Sequence, residues 1–200
     1  MSGPTNGAAA KDALDLPAFS LDVEALDLGA GVKAVSLEIL ETESREPVRG
    51  KQATEFWAAV FPLLAGNEPY VLDFFSHLDR LRDYLEHHQI PFRLATKHTI
   101  VVPAPELAVL EPLLDRFQGE TFGARAGGPL AEGDPALEGE LARRGVDAYH
   151  SAFAKYFFCA ICNFEDGSLV LLSEKLWASE VIRRVRPGLQ PFDVHIARPN

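Results

Sequence analysis

Apolar and polar residues alternate with a period of two in two segments near the start of the chain. The apolar members are Phe19, Leu21 and Val23 in the first segment and Val35, Leu37 and Ile39 in the second. A period of two predicts strands with one buried face. Glycines in residues 27–31 provide a turn between the segments. The pattern therefore predicts a hairpin that is solvated on one side.

A helical spacing follows in the next part of the chain. A first helix is expected to begin near Lys51 and to kink or end at Pro62, because proline cannot donate the backbone hydrogen bond of a helix interior. Residues 68–88 are predicted to form a second helix, capped by Asn67. Its apolar positions follow the i, i+3, i+4 spacing: Val71, Phe74, Phe75, Leu78, Leu81 and Leu85.

Two later stretches share one plan, in which two strands lead directly into a helix. The stretches are residues 92–119 and 159–188, and they align Val101 with Val170 and Glu111 with Glu180. The second contains an Asp-Gly pair between apolar runs, which is a strong hairpin signal. The sequence therefore predicts an α+β fold with antiparallel β-sheets, packed helices and an internal ββα pseudo-repeat.

Glycine-rich and polar segments divide the chain. Residues 1–16 have no periodic apolar pattern and are expected to be a disordered tail. Residues 119–136 are rich in glycine and are expected to be a loop or linker. On this interpretation an α+β N-terminal half covers 17–118 and an α+β C-terminal half covers 137–200. The alternative is one continuous domain over 17–200.

Residues 156–164 are apolar at both odd and even positions. Such a strand must be covered on both sides. The cover would come from helices, from the other half of the chain or from a second copy in a homodimer.

The charge of the chain narrows the classes of partner. The 200 residues carry a net charge of −10, with a pI of about 5.0. Nucleic-acid binders need a clustered basic face, so nucleic acid is not expected as a partner. No apolar run is long enough to span a membrane, and two cysteines do not make a disulfide framework. These features favour a cytoplasmic protein that binds another protein. The acidic charge of the chain is compatible with a basic surface on that partner but does not require one.

The two cysteines form a C-x-x-C sequence, Cys159 to Cys162. Redox motifs of this type open a helix, whereas the flanking residues here are typical of a strand. Residues three apart on a strand point to opposite faces, so the sulfur atoms are expected to diverge. A structural zinc site needs two more ligands, usually from a second close pair. We therefore expect buried, unreactive thiols, with no metal and no cofactor.

An enzymatic alternative uses the same thiols. Asp193 and His195 share one face of the last predicted strand. If that strand lies beside residues 156–164, Cys159 or Cys162 would meet His195 as a nucleophile and base pair. The simpler interpretation is that Asp193 and His195 form the solvated face of an edge strand.

The only locally basic patch comprises Arg183, Arg184 and Arg186 near a predicted helix end. It is a candidate for binding an acidic partner, although cations are also favourable at helix C-termini. No phosphate-binding glycine loop or hydrolase motif is present. The sequence therefore favours a non-catalytic protein-binding or regulatory protein, such as an adaptor, a chaperone or an immunity-type partner. A cysteine-dependent enzyme and a small-ligand binder are the alternatives.

Overall fold

One mixed β-sheet with helices packed on it forms the protein, as the predicted α+β class requires. The computed structural model describes residues 19–28, 33–103, 107–117, 121–130, 133–163 and 167–197. Within these residues nine strands form a single sheet, and five α-helices accompany it. None of the helices in these ranges is long and apolar enough to cross a membrane.

The strands and helices alternate irregularly along the chain. The strands are β1 (Phe19–Asp27), β2 (Lys33–Glu41), β3 (Tyr70–Phe74), β4 (Arg93–Thr96), β5 (Thr99–Pro103), β6 (Thr121–Ala126), β7 (Phe158–Asn163), β8 (Ser168–Leu172) and β9 (Val194–Ile196). The helices are α1 (Gly50–Ala65), α2 (Leu78–His87), α3 (Leu107–Phe117), α4 (Pro135–Arg144) and α5 (Ala178–Leu189). Two short 3-10 segments, Gly145–Ser151 and Phe153–Lys155, connect α4 to β7.

The predicted ββα units are both present. The first comprises β4, β5 and α3, and the second comprises β7, β8 and α5. The sheet order is β4-β5-β3-β6-β7-β8-β2-β1-β9, and neighbouring strands are antiparallel except for the parallel pair β1 and β9. Strands from the N-terminal part of the chain extend both units within the sheet. Strand β3 pairs with β5 of the first unit, and β2 pairs with β8 of the second.

One side of the sheet, here called the helix face, packs against α1, α2, α3 and α5. Helix α1 lies in the middle and contacts both α3 and α5. Its aromatic residues Phe56, Trp57 and Phe61 are completely buried. Burial of each such side chain contributes about 1.5–3 kcal/mol. The apolar stripe of α1 therefore fixes the helix layer to the sheet.

The other side of the sheet, here called the second face, is covered over only part of its width. Helix α4 packs against β4 and β5, and the 3-10 segments pack against β6 and β7. Strand β7 is consequently buried on both faces by the chain itself, as its apolar pattern predicts. On β2 and β1 the second face is open only in part: Glu24 and Glu38 are exposed there, whereas Ala34 and Leu26 pack against the core beneath α4.

The helix predicted for residues 68–88 is wrong in its first part. Residues Tyr70–Phe74 form the central strand β3, and all five are buried. The backbone then bends at His77, which has a φ of 49°, and α2 begins at Leu78. A strand covered on both faces loses its period of two, so its apolar residues were spaced in a way that a helix also allows.

The glycine-rich segment 119–136 is not the irregular loop that was predicted. Its residues Thr121–Ala126 form β6, which pairs with both β3 and β7.

Helix α1 also continues through Pro62 to Ala65. Helix α4 ends at Arg144, directly before Gly145, and Asp134 caps its start by accepting a hydrogen bond from the Leu137 amide at 3.1 Å. The predicted tail 1–16 and the turn glycines at 29 and 31 lie outside the described residues.

Candidate functional site

The two cysteine side chains enter different cores. Cys162 packs in the helix-face core, whereas Cys159 packs in the core beneath α4 and the 3-10 segments. Both are completely buried, and burial raises the pKa of each thiol above its usual value. A thiol held in its neutral form is a poor nucleophile. The divergence expected from the strand pattern is confirmed.

His195 lies far from both thiols across the sheet. It belongs to β9, which pairs with β1 and not with β7. Three strands separate β7 from β9, a distance of about 19 Å at the usual strand spacing. The His195 side chain is 76% exposed, and its Nε2 lies 4.0 Å from Oδ1 of the exposed Asp193. The strand neighbourhood that a cysteine–histidine pair requires is therefore absent.

The basic patch on α5 is largely occupied by contacts within the chain. Arg183 binds Glu180 through two hydrogen bonds of 2.7 and 2.8 Å. Arg184 also binds Glu180 at 2.9 Å and donates to the Leu64 carbonyl at 3.1 Å. Hydrogen bonds from Arg183 and then Arg184 lower the pKa of Glu180 to about 2. Arg183 remains exposed in spite of these bonds, and Arg186 is exposed in the last turn of the helix.

A buried ion pair on the second face was missed by the sequence analysis. Arg125 on β6 and Asp73 on β3 are 1% and 0% exposed. The Arg125 guanidinium donates to both Asp73 carboxylate oxygens, at 2.6 Å from Nε and 2.7 Å from Nη2. The Tyr149 hydroxyl donates to Asp73 at 2.6 Å. The bidentate contact between Arg125 and Asp73 is the strongest geometry for an arginine–carboxylate pair.

Helix α4 closes the cluster with a second carboxylate. Glu138 is buried and accepts a hydrogen bond from Arg125 at 3.2 Å. Arg93 on β4 binds both oxygens of the same carboxylate. Burial raises the pKa of Glu138, but the hydrogen bonds and charges of Arg93 and Arg125 outweigh it, and the net pKa is below the usual value.

The cluster extends to the loop before α4. The Tyr156 hydroxyl accepts from Arg125 at 3.2 Å and donates to Asp134 at 2.8 Å. Lys155 approaches the same Asp134 carboxylate at 3.7 Å. Every charged group named in this cluster has a partner, so the arrangement is typical of a structural network that joins β3, β6 and α4.

The only sequence signals of this cluster were polar residues inside apolar runs. Asp73 interrupts a run of apolar and aromatic residues from Tyr70 to Phe75, and Arg125 lies between two alanines. A charge in a buried strand must be paired, since an unpaired one would be very costly. In the described residues no group of three or more histidine, cysteine or carboxylate side chains could hold a metal ion.

An acidic surface lies on the uncovered part of the second face. We call it the acidic face and define it by Asp22, Glu24 and Glu38. Asp22 on β1 is directly opposite Glu38 on β2, and Glu24 is their neighbour on the same side of the sheet. Arg45 binds Asp22. Within the described residues no ion pair is formed by Glu24 or Glu38.

Comparisons of the chain with protein-family models, with curated proteins and with solved structures found no match. The functional argument therefore depends on the geometry of the chain itself.

Proposed function

We propose that the protein is a non-catalytic binding protein whose acidic face docks against a basic surface of another protein. An adaptor, a chaperone or an immunity-type partner would act in this way. The observation that carries the proposal is the acidic face, which holds three carboxylates on a part of the sheet that no described helix covers.

The arrangement of these carboxylates supports a role outside folding. Like charges directly opposite each other on a sheet are destabilising. Asp22 and Glu38 are such a pair, and among the described residues a cation binds Asp22 but none binds Glu38. A basic partner surface would neutralise Glu38 and Glu24, which would increase the association rate and the specificity of docking.

The geometry favours this function over the cysteine-dependent enzyme. Cys159 and Cys162 are buried in separate cores with raised pKa values, and His195 lies on the far edge strand. An activated thiolate needs an adjacent base and access to substrate. The cytoplasm remains the expected location, as for the sequence alone.

Affinity capture from the source organism tests the proposal, with the full chain as bait. Three baits are compared: the wild type, Glu38→Lys on the acidic face and Glu86→Lys on the exposed side of α2. The last two carry the same change of charge. We expect wild type and Glu86→Lys to retain one basic protein at an equimolar ratio. Glu38→Lys is expected to lose it.

Salt gives a second readout of the same contact. Retention should fall as ionic strength rises from about 0.05 M to about 0.5 M, because exposed charges are screened within a few ångströms at high salt. The retained protein is then identified by mass spectrometry and rebound in purified form. Retention of nothing at low salt, or equal retention by the Glu38→Lys bait, would contradict the proposal.

A further inference from the structure

Strand β1 has an outer edge that is paired along only a third of its length. All nine residues of β1 pair with β2 on the inner side. On the outer side β9 pairs only with Phe19–Leu21. Beyond Leu21, none of the described strands lies against this edge.

The direction of the backbone groups on this edge follows from the existing hydrogen bonds. The Phe19 amide donates to the Asp193 carbonyl at 2.8 Å, and the Leu21 carbonyl accepts from the Ala197 amide at 3.0 Å. Groups on alternate residues of a strand point the same way. The N–H and C=O groups of Val23 and Ala25 therefore point away from β2, along the part of the edge that no described strand pairs, here called the open edge.

The opposite edge of the sheet is built differently. Strand β4 has four residues, its register with β5 shifts between Leu94 and Thr96, and α4 packs against it. Short, irregular and covered edges are the usual protection against unwanted pairing. The edge of β1 is long, and its register with β2 is regular throughout. Charged side chains are the protective feature that it has.

An apolar pocket adjoins the open edge on the helix face. It has a volume of about 220 Å³ and is formed by the ends of β1 and β2 and the start of α5, with Ala25, Val35, Leu176 and Trp177 in its lining. Trp177 is 53% exposed, and the Lys33 ammonium lies 4.6 Å from its ring centroid. Exposed apolar surface beside a pocket of this kind is typical of interaction sites.

We propose that an extended segment of the basic partner adds to the sheet as a strand along the open edge of β1, beside Val23 and Ala25. This inference rests on the proposed function and specifies that the partner binds through an extended segment. Side chains of an added strand alternate between the two faces. Basic side chains of the segment lie beside Glu24 on the acidic face, and apolar side chains reach past Ala25 into the pocket beside Trp177.

Charge selects a basic partner over a second copy of this chain. Two copies of β1 paired edge to edge would bring Glu24 of each copy onto a shared, acidic surface. Like charges that face each other across strands are unfavourable. A segment with alternating basic and apolar residues has the opposite charge and the same period of two as the edge.

Synthetic peptides of alternating lysine and leucine, with the nine-residue length of β1, test the inference on the full chain. Binding is measured by fluorescence anisotropy. Two further peptides carry N-methyl groups on one or the other set of alternate amides. Only one edge of an added strand bonds to β1, so one N-methylated peptide should lose binding while the other retains it.

Matched variants place the contact on β1. Ala25→Pro removes the outward N–H, and Ala25→Ser retains it. Proline is tolerated on edge strands. We expect Ala25→Pro to weaken binding of the lysine–leucine peptide about tenfold, equivalent to about 1.4 kcal/mol, and Ala25→Ser to bind as wild type. Glu24→Lys should bind a glutamate–leucine peptide in preference to the lysine–leucine peptide.

Several results would overturn strand addition. They are equal binding by Ala25→Pro and Ala25→Ser, equal loss or equal retention for the two N-methylated peptides, and a wild-type dimer that Ala25→Pro dissociates. The N-methylated peptides decide the question even where Ala25→Pro fails to fold. If the Glu38→Lys bait loses the partner while an Ala25→Pro bait retains it, docking through the acidic face stands and strand addition fails.

Discussion

Replacing Gly123 with alanine is expected to destabilise the protein strongly, because a side chain there would occupy the place of Tyr149. Gly123 lies on β6 directly opposite Asp73 on β3. A Cβ atom at Gly123 would lie 2.0 Å from the Tyr149 Oη and 2.5 Å from two atoms of its ring. Tyr149 is completely buried, so it cannot swing into solvent without opening the core beneath α4.

The size of the effect follows from two losses and one gain. Overpacking of a core costs about 1–3 kcal/mol. Displacing Tyr149 also breaks its 2.6 Å hydrogen bond to Asp73, and a bond to a charged group contributes about 1.5–3 kcal/mol. Alanine favours a strand over glycine by about 0.5–1 kcal/mol. We expect Gly123→Ala to lower the free energy of unfolding by about 2–5 kcal/mol.

Gly139→Ala is the matched control for this substitution. Gly139 is in α4, and nothing lies within 4 Å of a Cβ atom built there. The same chemical change should stabilise the protein by up to about 1 kcal/mol, because alanine is the better helix former. Urea denaturation of both variants gives the two free energies. The argument fails if Gly123→Ala unfolds at the wild-type urea concentration.

A double-mutant cycle separates the hydrogen bond from the steric clash. Tyr149→Phe removes only the hydroxyl and should cost about 1.5–3 kcal/mol. The bond can be lost only once, so Gly123→Ala combined with Tyr149→Phe should cost less than the two single changes together. Simple additivity would mean that Tyr149 keeps its bond to Asp73 in the Gly123→Ala variant.

Two further predictions concern thiols and acid. Cys159 and Cys162 should react with iodoacetamide at least about tenfold faster after unfolding, because burial keeps both thiols neutral; rapid labelling of the native protein near neutral pH would revive the enzyme alternative. In the folded state the pKa of Glu138 is lowered from its usual value of 4.5. The ionised carboxylate therefore contributes its full stabilisation at pH values above 4.5, and this contribution is lost as the pH falls below 4.5. Glu138→Gln should therefore flatten the acid side of the stability profile measured by urea denaturation, and an unchanged profile would contradict the role given to Arg93 and Arg125.

The two ββα units were predictable because their signals are local. The strands of β4 and β5, and those of β7 and β8, are neighbours in the chain, and a helix follows each pair. Short-range patterns and turn residues determine hairpins of this kind. The position of each unit in the sheet was not predictable, since strands from the N-terminal part of the chain lie beside them: β3 pairs with β5, and β2 pairs with β8.

The error at β3 has a physical cause. A strand in the middle of a sheet that is covered on both faces needs apolar residues at nearly every position, so it carries no period of its own. Joined to the start of α2, its residues Val71 and Phe74 continued the helical spacing of Leu78 and Leu81 by coincidence. The aromatic and β-branched composition of Tyr70–Phe74 was the better indicator.

The buried cluster could not be predicted because its members are distant in the sequence. Arg125 is 52 residues from Asp73, and Tyr149 is 76 residues from it. A single sequence indicates only that Asp73 needs a partner. The acidic face was predictable in sign from the net charge of −10, but its location depends on which part of the sheet α4 leaves uncovered.

The buried cluster also explains how β3 is held in register at the centre of the sheet. Val71 on β3 is opposite Arg125 on β6, so Asp73 reaches Arg125 diagonally across the two strands. A slip of one residue would turn Asp73 to the helix face, where its neighbours Leu72 and Phe74 now pack. An unpaired carboxylate in that core would cost several kcal/mol. Because β3 enters the sheet far from the strand that precedes it, this penalty, and not a local turn, selects its register.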